Sequence, residues 1–209
     1  MKHLETVALK AVVVPLSLMI LAGGCATTTT ATPPAAIRTA DYAVPAVDSE
    51  EAVKAVKKLT NYRFGDSRIP VANIEDLVRQ SLQSAESRAQ MAAMLAGVLE
   101  GSATVDGKRI ACRQLSLIGS EAQLPQLAPL LTDATLSDSA RYALERIPGE
   151  AVNSALIRAL SATSGTIRIG IINTLGMRGA SSARAELRGL RNDPDPTTAE
   201  AARAALDRI

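Results

Sequence analysis

Leu115, Leu144, Leu175 and Leu206 stand at the same point of a recurring helical phrase, 29, 31 and 31 residues apart. The phrase reads ACRQLSLIG at 111–119, ARYALERIP at 140–148 and IINTLGMRG at 171–179, with a partial copy, AARAAL, at 201–206. A second column, Leu127, Leu156 and Leu187, keeps the same two intervals of 29 and 31. Self-similarity at this period belongs to stacked supersecondary units, each too small to bury its own apolar face. The expected fold is therefore all-α, an α-solenoid of stacked helical hairpins that presents a continuous surface.

Within residues 105–209 each unit is read as a first helix, a tight turn at Gly119, Pro148 or Gly179, and a second helix ending near Thr132, Ser161 or Arg191. Small residues recur on the first helices, Ala111, Ala140 and Ala202, with Ile171 as the exception. They let neighbouring helices approach while the leucines fill the layer between them. Polar breaks at Thr132-Asp133, 161–165 and Asn192-Asp193-Pro194-Asp195-Pro196 separate the units, and proline is tolerated in the first turn after such a break.

Residues 48–104 read as an N-terminal helical capping region. Asp48 and Glu51 have the spacing of a capping box, and Val53, Val56 and Leu59 recur on one helical face. A loop over 60–71 follows, containing Gly65 and Pro70. Ile74, Leu77, Val78 and Leu82 then mark a second helix, and Met91, Met94, Leu95 and Val98 a third that ends at Gly101.

The unit A-x-x-x-L-x-x-[IR]-[GP], followed by a second helix and the D-P-D-P break, resembles the short HEAT repeats of the phycobilisome-lyase type over about residues 85–209. The segment Tyr-Arg-Phe-Gly-Asp-Ser-Arg at 62–68 resembles one that precedes such repeats in some exported bacterial HEAT proteins. The resemblance implies a scaffold and no single activity.

The first 24 residues read as an export signal. Lys2, His3 and Lys10 precede an apolar stretch, Ala11 to Leu21, about half the roughly 20 residues of a spanning helix. It runs into Leu21-Ala22-Gly23-Gly24-Cys25, which resembles the lipobox of bacterial lipoproteins, although leucine stands one place earlier than usual. That resemblance implies cleavage before Cys25, lipidation of its thiol, and attachment to the membrane through the N-terminal lipid. Ala26, in place of an aspartate, points to the periplasmic side of the outer membrane where the host has one. Ordinary secretion with cleavage near Ala26 or Ala31 is the alternative. Residues 25–47, rich in Thr, Ala and Pro, read as a flexible tether.

The chemistry left to the mature chain is sparse. The sole histidine, His3, lies in the signal segment, so His-based acid–base catalysis, Ser-His-Asp and Cys-His pairs and His metal ligands are excluded. The paired His-Glu motifs of di-iron HEAT-type hydroxylases are missing as well. No catalytic residue, metal site or cofactor is expected. Cys112 reads as a buried, inert thiol. Loss of Lys2, Glu5 and Lys10 with the signal leaves a net charge of +1, and the chain has no Trp and one Phe, so nucleic acid is not an expected ligand. Arg113, Arg141, Arg168, Arg178 and Arg184 do not share a repeat position and read as scattered, solvated side chains. Asn173 reads as a hydrogen-bonding residue for a neighbouring turn.

Tyr62-Arg63-Phe64, the one dense aromatic and basic cluster, lies in a loop, where binding residues concentrate. It is the candidate binding site; the competing reading has Tyr62 and Phe64 packing down to cap the first repeat. The last segment, 197–209, places Ala201, Ala202, Ala205, Leu206 and Ile209 opposite Glu200, Arg203, Asp207 and Arg208, the pattern of a closing helix or of half an interrupted repeat.

The sequence thus reads as an exported, lipid-anchored, non-catalytic HEAT-repeat scaffold that binds a protein partner of unknown identity, its oligomeric state open. An accessory subunit or enzyme of the lyase-type family acting on a bound cofactor, or a fragment of a longer protein, are the alternatives. Acyl chains add about 0.8 kcal/mol per buried methylene. The wild-type chain is therefore expected to take up a fatty-acid analogue in cells and pellet with membranes, and Cys25→Ser to do neither. A variant that still pellets wholly, with no label on either form, refutes the anchor.

Overall fold

In a computed structural model residues 50–209 are described; Cys25, the signal segment, the tether and Asp48 lie outside them. The described residues fall within one unit, Ala43–Ile209. They form ten α-helices and no β-strand. The helices are α1 (Glu50–Thr60), α2 (Ile69–Ser81), α3 (Ala85–Glu100), α4 (Val105–Ile118), α5 (Leu124–Leu127), α6 (Ser137–Arg146), α7 (Glu150–Ser161), α8 (Gly165–Met177), α9 (Arg184–Gly189) and α10 (Pro196–Leu206).

Local chemistry sets the boundaries. Thr104 accepts a hydrogen bond from the Gly107 amide at 3.1 Å and caps α4, and Ser84 does the same for α3 from Ser87 at 3.0 Å. Asp195 caps α10 by accepting from the amides of Thr197 and Thr198. Hydrogen bonds from the Thr198 and Thr197 side chains and amides hold its carboxyl near 2 instead of the ordinary 3.8. At the other end of a helix, Gly179 (φ 62°) donates to Gly176 and Ala180 donates to Leu175. This is the paired-bond left-handed turn that satisfies the last carbonyls of α8. Ile147 precedes Pro148 and is extended, which stops α6.

The second helices differ among units for a reason written in their composition. α7 has no internal proline and runs unbroken for 12 residues. Its counterpart in the preceding unit carries Pro125 and Pro129 and breaks into the four residues of α5 flanked by 3-10 segments, Glu121–Gln123 and Ala128–Thr132. Each proline lacks the amide an α-helical ladder needs. The counterpart in the following unit is also divided, α9 lying between 3-10 turns at Ser181–Ala183 and Leu190–Asn192, although that segment has no proline and its division is not explained by one.

The first helices contact one another in chain order: α4 with α6, α6 with α8, and α8 with α10. α1, α2 and α3 pack together, and α3 joins them to α4. Leu115, Leu144 and Leu175 are wholly buried, as are Leu127, Leu156 and Leu187 of the second column. Each such side chain contributes roughly 1.5–3 kcal/mol through removal from water. Ala111, Ala140, Ile171 and Ala202 are also wholly buried.

Leu206 departs from its column, being only partly buried. A Cβ added to Gly176 would lie 2.8 Å from the Ala205 Cα. α10 therefore seats on α8 through Ala205, and Leu206 is left at the margin. The other charges and apolar groups of 197–209 fall on the expected sides: Ala201 and Ile209 pack against the core, and Glu200, Arg203, Asp207 and Arg208 are exposed.

Two apolar faces differ from the sequence reading. α1 buries Ala52, Ala55 and Leu59, while Val53 is 54% exposed; the smaller residues face inward because α1 meets α2, α3 and α4 at once. α2 buries Val71, Ile74, Leu77, Val78 and Ser81, and Leu82 falls past the helix end and is exposed. The loop is accordingly shorter than 60–71, because Ile69 and Pro70 form the first turn of α2.

Leu144→Ala is expected to destabilise the protein by roughly 2–5 kcal/mol in chemical denaturation; an unchanged midpoint would mean that its helix face does not point into the layer. Gly107→Ala tests how closely α4 approaches α1. Helix propensity favours alanine by about 1 kcal/mol, yet a Cβ here would sit 2.4 Å from the Leu59 carbonyl oxygen. A net loss of about 1–3 kcal/mol is expected, and a gain in stability would show that the two helices stand further apart.

Candidate functional site

The loop between α1 and α2 is built from both of its ends. The α1 terminus tightens as Asn61 and Tyr62 donate to the carbonyls of Lys58 and Leu59. This turns the Tyr62 ring inward, and it is 8% exposed. Gly65 adopts φ 101°, a conformation other residues rarely take. Asp66 closes the turn, its carboxylate accepting from the Arg63 amide at 2.9 Å while its own amide donates to the Arg63 carbonyl at 3.0 Å.

The start of α4 fixes this loop from outside. Thr104 donates its amide to the Thr60 carbonyl at 2.9 Å and its hydroxyl to the Tyr62 carbonyl, while capping its own helix. Asp106 accepts from the Phe64 amide at 2.9 Å and pairs with Arg109 at 3.3 Å. The Phe64 backbone is thereby held, and its ring is 91% exposed. Of the three residues singled out, Tyr62 packs into the core, while Arg63 and Phe64 face solvent. The competing expectation, that both aromatics pack down, fits Tyr62 and fails for Phe64. The amide of Phe64 is tied to Asp106 at the surface.

Beside the loop lies a cleft of about 470 Å³ with Tyr62 and Pro70 in its wall and Lys54, Lys57 and Lys58 along one side. Lys54 is paired with Glu50 at 2.6 Å. Among the described residues Lys57 and Lys58 have no carboxylate partner. The sequence reading missed this basic wall and the Thr104–Asp106 latch. The lysines follow one another on an ordinary charged helix face, and the latch joins residues 42 apart in sequence.

The other candidates resolve differently. Cys112 is wholly buried, and loss of hydration pushes its thiol up to about 12 despite the opposing pull of Lys108. It stays a thiol at neutral pH and is a poor nucleophile. Arg113 is exposed, as expected of a solvated side chain; Arg184 is exposed too but donates to the Ile209 carbonyl. Arg141, Arg168 and Arg178 are half-buried; each bonds to backbone between elements, a role that a mismatch of repeat positions conceals. Arg178 donates to the carbonyls of Leu144, Glu145, Ile147 and Gly149 and to Asn153 Oδ1. One guanidinium thus serves several orphan acceptors at the end of α6, where a cation is also favoured by the helix dipole. Arg141 of α6 reaches the Gly170 carbonyl and the Thr174 hydroxyl of α8 at 3.1 and 3.3 Å. Arg168 donates to the Thr163 carbonyl and pairs with Asp193 at 3.7 Å. Asn173 is exposed, and the asparagine that bridges a turn is Asn153.

Among the described residues no group of three or more His, Cys, Asp or Glu is placed to hold a metal ion, and no helix is long and apolar enough to cross a membrane. The exposed side chains around the loop offer an aromatic ring and cations. Comparison of the chain with protein-family models, with curated proteins and with solved structures finds no match in any of the three.

Proposed function

We propose that the chain is a non-catalytic scaffold that binds a protein partner through the loop at Tyr62, Arg63 and Phe64. Its stacked hairpins make an α-solenoid of HEAT type, and it is exported and anchored by lipid on Cys25, on the periplasmic side of the outer membrane. The observation that carries the binding role is the Phe64 ring, 91% exposed on a backbone fixed by Asp106. Leaving a phenyl ring in water sacrifices its burial energy. A rigid mount removes much of the ordering cost that a partner would otherwise meet on binding. Large aromatic anchors in such positions are what interfaces use as hot spots.

The neighbouring cleft adds chemistry to the anchor. A partner that seats Phe64 in an apolar pocket and brings carboxylates toward Lys57 and Lys58 satisfies both features, and charge of this kind speeds encounter more than it deepens affinity. The contact of α4, α6, α8 and α10 in chain order supports the solenoid, in which each unit rests on its neighbours. The proposed anchor at Cys25 keeps the surface near the membrane, while the tether gives it reach.

Placing a photo-crosslinking amino acid at Arg63 in intact cells is expected to recover a discrete protein adduct. Phe64→Ser should reduce that adduct at least tenfold while leaving thermal stability within about 0.5 kcal/mol, as for exposed sites generally. An adduct of undiminished yield in the Phe64→Ser chain overturns the loop as the binding site.

A further inference from the structure

At the opposite end of the described chain, α9 and the turn after it face α10 across a cleft of about 420 Å³ lined by Arg184, Arg188, Arg191, Arg203, Leu206 and Asp207. Small-molecule sites begin at roughly 300 Å³. Four guanidiniums and one carboxylate thus meet in one concavity. Two of the arginines are already positioned: Arg203 donates to the Arg191 carbonyl at 2.8 Å, and Arg184 donates to the Ile209 carbonyl oxygen. Among the described residues no carboxylate stands within ion-pair distance of Arg188, Arg191 or Arg203. Asp207 is the one side-chain carboxylate in the lining, so the cleft holds more positive than negative charge.

The repeat itself does not ask for these arginines. With Leu187 aligned on Leu156 and Leu127, Arg184, Arg188 and Arg191 fall on Asn153, Ile157 and Leu160 of one unit and on Leu124, Ala128 and Leu131 of the other. Leu160 and Leu131 are 4% and 0% exposed there, and Ile157 and Leu124 pack against the core. Positions used elsewhere for packing carry cations only in the unit that borders α10. Their spacing, 184, 188 and 191, puts them on one face of the α9 segment, toward Arg203.

We propose that this cleft binds a phosphoryl group. Guanidinium forks match phosphate oxygens in pairs. A phosphate monoester carries about −1.5 to −2 charges and three acceptor oxygens, enough to engage several arginines, whereas a carboxylate neutralises one. The site is separate from the Phe64 loop and does not depend on the partner-binding reading. Two sources share the required chemistry, a soluble phosphate ester and a phospholipid headgroup.

The test uses the full chain and its Arg188→Gln/Arg191→Gln variant, with circular dichroism as the folding control. Both positions are exposed; should the glutamine variant misfold, Arg188→Lys/Arg191→Lys keeps the charge and removes the fork. Titration calorimetry with inorganic phosphate in a chloride background is expected to detect binding that weakens at least tenfold in the glutamine variant. Cosedimentation with phosphatidylglycerol–phosphatidylcholine vesicles, against phosphatidylcholine alone, separates the sources. Arginine-dependent binding to the anionic vesicles assigns a lipid headgroup, and arginine-dependent binding of phosphate without it assigns a soluble ester. If neither arm distinguishes parent from variant, or if only polyglutamate does, the phosphoryl assignment is wrong.

Discussion

A single hairpin of this chain cannot keep its leucines dry, and the structure follows from that shortage. Leu144 on α6 and Leu156 on α7 reach zero exposure because other elements cover them: α4 and α8 lie against α6, and the 128–132 segment and α8 against α7. Burial is thus shared between units, and no unit owns its core. The alanine positions make the sharing possible. Ala205 on α10, facing Gly176 on α8, lets the backbones come close enough for the layer to close without large side chains, and Ala202, one turn before it, is wholly buried.

Once the apolar layer is closed, the unpaired backbone at helix ends becomes the remaining problem, and arginine answers it. Arg178 leaves the end of α8 to serve carbonyls at the end of α6, a unit away. Arg141 runs the other way, from α6 to α8. These side chains hold the relative placement of neighbouring helices, which non-directional apolar contact alone leaves loose. Burial lowers the proton affinity of Arg178, and Glu150, Glu145 and Glu121 around it work against that loss.

The same residue type has a different meaning at α9, where Arg188 and Arg191 face a cleft instead of a carbonyl. What separates a pinning arginine from a ligand-seeking one is whether a partner is already within reach. By that measure the two ends of the described chain differ as well. The Phe64 end offers an apolar ring on a fixed backbone, and the α9–α10 end offers four arginines against one aspartate, so one molecule presents two chemically distinct surfaces.

Much of the helical layout was legible in the residues themselves. A period of 29 and 31 with leucine in register, glycine or proline at each turn and aspartate before α10 acts over a few neighbours, and short-range physics fixes helix existence and end points. Side-chain destinations were not legible where several elements compete for one face. Val53 and Ala52 are adjacent, and only the simultaneous approach of α2, α3 and α4 sends the alanine inward. The fate of the candidate loop was divided in the same way. Its aromatic and basic residues could be picked out in sequence, but the split that buries Tyr62 and exposes Phe64 depends on Thr104 and Asp106, which chain folding brings back across 42 residues. Periodicity encodes what a residue does to its own helix; which partner it finds is decided by contacts that no local pattern carries.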